Sequence, residues 1–221
     1  MQANDMLEVL QNFGSINQNI VFKQGTALSI VSEAKNVMAK IELDEPIPMD
    51  FGIYDAQELV RVMSLVDDAE IQFNEDSLSL AGNGSSIKYY YSDIDMLTQP
   101  PSRDVTMPEP EVKFTLTQEN LNKLKRAASA LGHKQIKVDA DDESVKLVIT
   151  DTGNATANNF TIRVEGEATG DLSAGFTIGI DNLKLMPGDY EVQVSSKLIS
   201  HFKNTDRNVQ YWIALEKDKK K

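Results

Sequence analysis

Residues 176–216 read FTIGIDNLKLMPGDYEVQVSSKLISHFKNTDRNVQYWIALE, and most of that order occurs once before in the chain. An alternating stretch ends at Asp181, D-x-x-x-L runs from Asp181 to Leu185, and EVQV (191–194), LISHF (198–202) and VQYWI (209–213) follow. Upstream, D-x-x-x-L recurs from Asp55 to Leu59, followed by EIQF (70–73), LSL (78–80) and IKYYY (87–91). The spacing from EIQF to IKYYY and that from EVQV to VQYWI differ by one residue. Self-similarity in order and chemistry marks a duplicated architecture. Each copy reads as strand, helix and three strands.

The physical reading of one copy is direct. Ile53, Ile178 and Ile180 belong to strands, whose side chains alternate between faces. Asp55 and Asp181 suit a helix N-cap, where a carboxylate accepts backbone N–H bonds and meets the positive end of the helix dipole. The helix after Asp181 is the shorter one, because Pro187-Gly188 stops it. The helix after Asp55 runs to about residue 65 and buries Leu59 and Met63.

A related pattern precedes each copy. Residues 4–13 carry Leu7, Leu10 and Phe13 on one helical face, with IVF (20–22), ALSIV (27–31) and MAKIEL (38–43) after them. Pro46 and Pro48 then mark a break. Residues 117–131, TQENLNKLKRAASAL, begin at a Thr117 cap and place Leu121, Leu124, Ala128 and Leu131 on one stripe. IKV (136–138), KLVIT (146–150) and FTIRVEG (160–166) follow in the same order. Residues 93–112 hold four prolines and read as an extended connector. The expected organisation is α+β, with a domain at 1–95, a connector at 96–112 and a similar domain at 113–221.

Composition narrows the function classes. The 221 residues include no cysteine, which removes disulfides and thiolate chemistry. No apolar run approaches membrane-spanning length and no charged-then-apolar leader is present, so an intracellular protein is expected. The net charge of −12 is unevenly spread: residues 1–100 carry 5 Lys/Arg against 16 Asp/Glu, and residues 101–221 carry 17 against 18. A contact with nucleic acid would need a local basic patch, and the second half is where one can exist. His133 and His201 lie in different repeats without an evident acid or nucleophile beside them, and no phosphate-loop, dinucleotide or zinc-protease motif occurs. DADDES (139–144) resembles a calcium loop but has Ser144 where glycine is needed and Thr150 where a glutamate should close it, so it reads as a hairpin turn. Asn154-Ala-Thr156 is a glycosylation sequon by letter only, and the final KDKKK reads as a solvated tail.

Two features remain. Lys123 and Arg126 lie opposite the leucine stripe of the 117–131 helix, with Lys125 beside them. Trp212, the only tryptophan, follows Tyr211 on the last strand. The residues alone leave open whether the basic face is a DNA contact or a solvated surface, and whether Trp212 packs in a core or lines a pocket. A duplicated β-rich scaffold without a DNA role fits them as well.

Four segments carry a resemblance: LQNFGSIN (10–17), FGIYDAQELVRVMSLV (51–66), LKLMPGDYEV (183–192) and the closing IALE (213–216). With the duplicated plan and proline-rich connector, the chain resembles the DNA sliding clamps of T-even-like bacteriophages. That resemblance implies three subunits joined head to tail, helices lining a hole for double-stranded DNA and sheets outside, with no catalysis and no cofactor. It also implies partners: the C-terminal peptide of a DNA polymerase, an ATP-driven clamp loader and the late-transcription machinery, in the cytoplasm of an infected bacterium and away from any membrane. By position it assigns Lys123, Lys125, Arg126, Arg61 and Lys184 to the DNA side. Leu198, Trp212 and Ala214, with Met96 or Leu97 from the connector, would form the partner pocket. The edge of Ile87, Tyr89 and Tyr91 would meet that of Phe160, Ile162 and Val164 between subunits. The first helix, NDMLEVLQN, departs from the pattern in having no Lys or Arg, so it is expected to add no positive charge to the hole.

Overall fold

The computed structural model describes residues 3–66, 69–103, 105–141, 144–169 and 175–216. The KDKKK tail and the middle of DADDES lie outside them. The chain divides into two compact units, Met1–Ser102 and Arg103–Lys221. The expected connector is thus shared, its first residues belonging to unit 1 and its last to unit 2.

Unit 1 runs α1 (Ala3–Ile16), β1 (Ile20–Phe22), β2 (Gly25–Val31), β3 (Val37–Ile47), β4 (Phe51–Ile53), α2 (Ala56–Met63), β5 (Glu70–Phe73), β6 (Ser77–Gly82), β7 (Ser85–Tyr90) and a 3-10 turn at Ile94–Met96. In α1 the buried stripe is Met6, Val9, Leu10, Phe13 and Ile16, the spacing of one helical face. Leu7 lies at its margin, half-buried. The Asp55 carboxylate accepts the Glu58 N–H at 2.9 Å and caps α2 as its sequence suggests. β1 pairs with β4, β2 with β3, and β5-β6-β7 form an antiparallel meander. Phe51 joins two of these sheets: its ring stacks on Phe22 of β1 at 4.5 Å and lies 5.8 Å from Phe73 of β5, with Tyr91, just past β7, stacked on it at 4.4 Å.

Pro46 does not break the chain where the sequence suggested. β3 continues through it to Ile47, because the β2–β3 ladder shifts register between Gly25 and Ala27 and pairs Gly25 with Ile47. Pro46 falls in the stretch that the ladder skips, where no N–H is required.

Unit 2 runs β8 (Val112–Leu116), α3 (Gln118–Leu131), β9 (Gln135–Asp141), β10 (Ser144–Thr150), β11 (Phe160–Val164), β12 (Gly166–Ala168), β13 (Phe176–Gly179), a 3-10 turn at Ile180–Asn182, β14 (Tyr190–Ser195), β15 (Ile199–Asn204) and β16 (Val209–Ala214). Two antiparallel sheets result, one in the order β11-β10-β9-β13 and one containing β12-β8-β14-β15-β16. FTIRVEG is therefore not one strand. The chain pairs with β10 as far as Val164, and from Gly166 it pairs with β8.

The second D-x-x-x-L segment also differs from expectation. Asp181 sits inside the 3-10 turn and caps no helix, and its carboxylate is 3.6 Å from Lys134 Nζ. Other bonds hold the segment. The Tyr190 hydroxyl donates to the Met186 carbonyl at 2.6 Å, and the Tyr211 hydroxyl accepts the Met186 N–H at 3.1 Å. Two buried tyrosines thus satisfy both backbone groups of Met186 where no helix does. Among the described residues there are three α-helices, so one unit of the four lacks its own.

Candidate nucleic-acid and partner surfaces

Helix α3 is the most strongly basic element. The Thr117 hydroxyl accepts the Asn120 N–H at 3.2 Å and opens it, and Gly132 closes it at φ 70°, a left-handed conformation that glycine adopts without strain. Leu121, Leu124 and Ala128 are buried, while Leu131 is half-buried. At about 100° per residue, Glu119, Lys123 and Arg126 share the opposite, solvent-facing stripe. Lys123 Nζ lies 2.6 Å from Glu119 Oε1. The Lys123 ammonium, and then the Arg126 charge, hold the Glu119 carboxyl below its ordinary pKa.

Lys125 is set apart from that stripe. The same angular arithmetic places it on the flank of the leucine row, where it lines a cleft of about 420 Å³ with Ala128, Ser129, His133, Ile180 and Leu183. Lost hydration of its ammonium there lowers its pKa. Of the other two expected cations, Arg61 is exposed on α2 with its guanidinium 3.8 Å from the Asp55 carboxylate. Lys184 is exposed beyond the 3-10 turn and lies on no helix.

Trp212 occupies the other notable surface. Strand alternation points Val209, Tyr211 and Ile213 into the core, and Trp212 and Ala214 to the opposite face of the sheet. Trp212 is nonetheless only 8% exposed. Its ring stacks on His201, its cross-strand partner, at 5.0 Å and 22°. His201 Nε2 lies 2.9 Å from Gln210 Oε1, and burial pushes the imidazole pKa down. Ile199 pairs with Ala214, and the turn at Leu198 holds φ 64° with its carbonyl accepting the Leu215 N–H. The unit thus groups Trp212, Ala214 and Leu198 with Ile199 and His201.

Met96 and Leu97 have opposite fates in unit 1. Met96 is 82% exposed and Leu97 only 7%. Leu97 sits on Gly52, where a Cβ would come within 2.6 Å of its Cδ1. Leu97 is therefore core, which leaves Met96 as the side chain available from the connector.

The two strands expected at a subunit contact are both sheet edges. β7 bonds only to β6, and β11 only to β10 within its sheet. The Tyr91 N–H donates to the Asp76 carbonyl, and Ser77 pairs with Tyr90. Antiparallel alternation then directs the backbone groups of Ile87 and Tyr89 towards β6, and those of Ser86, Lys88 and Tyr90 to the open edge. At the far side of the β11 sheet, beyond the paired ends of β13 and β9, the Ile180 N–H donates to the Lys134 carbonyl. It follows through the β9–β10 and β10–β11 registers that Phe160, Ile162 and Val164 bond to β10, and that Thr161 and Arg163 face outward.

Comparison with known proteins gives this geometry a family. Residues 2–99 match the family described as DNA polymerase processivity factor, and residues 113–217 match that described as gp45 sliding clamp, C terminal. The chain belongs to the phage sliding-clamp family. Sliding clamps similar to it along nearly the whole length occur in Vibrio phage KVP40, at 28% identity over 95% of this chain and 96% of the relative. Those of Escherichia phage RB69 and Enterobacteria phage T4 are 25% and 26% identical, each over 98% of this chain and 96% of the relative. The fold is shared with the Proliferating Cellular Nuclear Antigen of Entamoeba histolytica, at TM-score 0.73 and 16% identity over 98% of this chain and 96% of that one. The PCNA of Thermococcus kodakaraensis also superposes at TM-score 0.73, with 13% identity over 97% of each chain. This clamp is a DNA polymerase processivity factor, and it is not an enzyme.

Sequence reasoning missed three features of the clamp's surfaces. The Glu119–Lys123 pair was visible as i,i+4 spacing. The proximity of His201 and Ile199 to Trp212 and Ala214 depends on a β15–β16 register that no local pattern reports. The directions of the edge N–H groups need two registers traced together.

Proposed function

We propose that three copies of the chain close head to tail around duplex DNA, with the solvent stripe of α3 on the DNA side and the Trp212 face receiving the polymerase C-terminal peptide. The observation that carries this reading is the Lys123/Arg126 stripe of α3, in a family member whose net charge is −12. A topological link needs no tight grip, so a few phosphate contacts without base readout allow the ring to slide. Lys125, Arg61 and Lys184 are secondary members of the DNA side. Leu198 and Ala214 complete the peptide site around Trp212. An ATP-driven loader would place the ring on DNA, late-transcription factors would share the peptide site, and the place of action would be the cytoplasm of the infected bacterium.

The test is charge reversal of Lys123, Lys125 and Arg126 together to Glu. The leucine row that packs α3 is untouched, so folding, subunit association and peptide binding should persist. Loading onto DNA and processive synthesis should be lost, most severely at low salt, where exposed charges are least screened. Processivity that survives the reversal at low salt would show that this stripe faces away from DNA.

A further inference from the structure

From the Glu119–Lys123 pair we infer that Glu119 is a specificity-determining residue for sliding: its carboxylate holds Lys123 back from phosphate and limits how firmly the ring grips DNA. This rests on the proposal that the α3 stripe faces DNA. The stripe carries three charges, Glu119, Lys123 and Arg126. The acid lies 2.6 Å from the lysine one turn along, and both cations lower its pKa. Two cations with one acid among them present a net of one positive charge. A phosphate approaching Lys123 must compete with a carboxylate already in place, and that carboxylate repels the phosphate as well. Arg61 repeats the arrangement on α2, where the Asp55 carboxylate lies 3.8 Å from its guanidinium. Such pairing serves a ring held by topology, because each lysine released to phosphate adds a counterion-release contribution that tightens and slows its movement.

Four proteins test the inference: the unaltered clamp, Glu119→Gln, Lys123→Gln and the double variant. Each is titrated with a short fluorescent duplex over a range of salt, and far-ultraviolet circular dichroism confirms α3 in every case. Glu119→Gln should tighten binding at low salt and steepen the slope of log K against log salt by about 0.9 for each lysine released to phosphate. Lys123→Gln should weaken binding and flatten the slope. In the double variant, removing the acid should add little, since the lysine it restrains is gone. If Lys123→Gln weakens binding but Glu119→Gln changes nothing, the inference fails while the DNA-facing reading stands. If Glu119→Gln tightens binding equally with and without Lys123, the acid acts by repulsion alone and the restraint is rejected. If no single variant changes binding, the stripe does not face DNA and both ideas fall.

Discussion

At the scale of single residues, the His201–Trp212 pair is the informative one. Trp212 lies on the face of its sheet opposite Tyr211 and Ile213 yet is only 8% exposed, and its imidazole neighbour ties that face to pH. If Trp212 anchors a peptide, Trp212→Ala should weaken polymerase-peptide binding by roughly 2 kcal/mol or more and leave the assembly mass unchanged. Normal peptide affinity with reduced stability would make it a packing residue only. His201 titrates below the usual histidine range, chiefly because it is buried, with Lys203 adding repulsion and the Gln210 bond opposing. The unfolded chain therefore takes up the proton first. The stability contributed by neutral His201 is intact above about pH 6.5 and declines as pH falls towards the lower folded value. His201→Gln should flatten the dependence of the urea midpoint on pH between about 7 and 5. An unchanged slope would assign that dependence to other groups.

At the scale of elements, the open edges of β7 and β11 decide where a proline is informative. Tyr89 and Ile162 bond within their own sheets, so proline there removes a ladder bond from the subunit itself. Lys88 and Arg163 direct their N–H groups outward. Lys88→Pro and Arg163→Pro should give folded chains, shown by cooperative melting, that no longer associate in light scattering, whereas Tyr89→Pro and Ile162→Pro should lose stability first. Full association in both outward variants would exclude these strands from the contact. The distinction also shows what the sequence could carry. Strong alternation located the strand at KLVIT (146–150), which the structure extends back to Ser144, and the Asp55 cap located the start of α2. Local pattern failed where distant partners decided the outcome: Pro46 tolerated by a shifted register, Glu165 marking a change of sheet, and the loop around Met186 held by Tyr190 and Tyr211. The basic stripe of α3 was legible as helix periodicity, but its pairing state and the separate position of Lys125 depend on rotamers and neighbours.

For the whole molecule, the uneven charge gives assembly a predictable salt dependence. The residues of unit 1 carry a net −11 and those of unit 2 a net −1, from 5 basic against 16 acidic and 17 against 18. Any association of like subunits at −12 each is opposed by long-range repulsion, but a head-to-tail contact between a β7 edge and a β11 edge sets an acidic unit against a nearly neutral one. It avoids placing two strongly acidic units face to face, as a symmetric contact through unit 1 would. Repulsion that remains is screened over a Debye length of about 8 Å at physiological ionic strength, while the backbone bonds of an edge contact depend little on salt. Light scattering across a concentration series should therefore find a mass near three times 24.5 kDa. The concentration needed to reach it should fall as salt rises from low to physiological values. A heterologous contact closes only at the correct rotation per subunit and otherwise propagates. A mass that grows without limit would thus reveal an open filament, a constant 24.5 kDa would exclude self-assembly, and a trimer loosened by added salt would mean that ion pairs hold the subunits together.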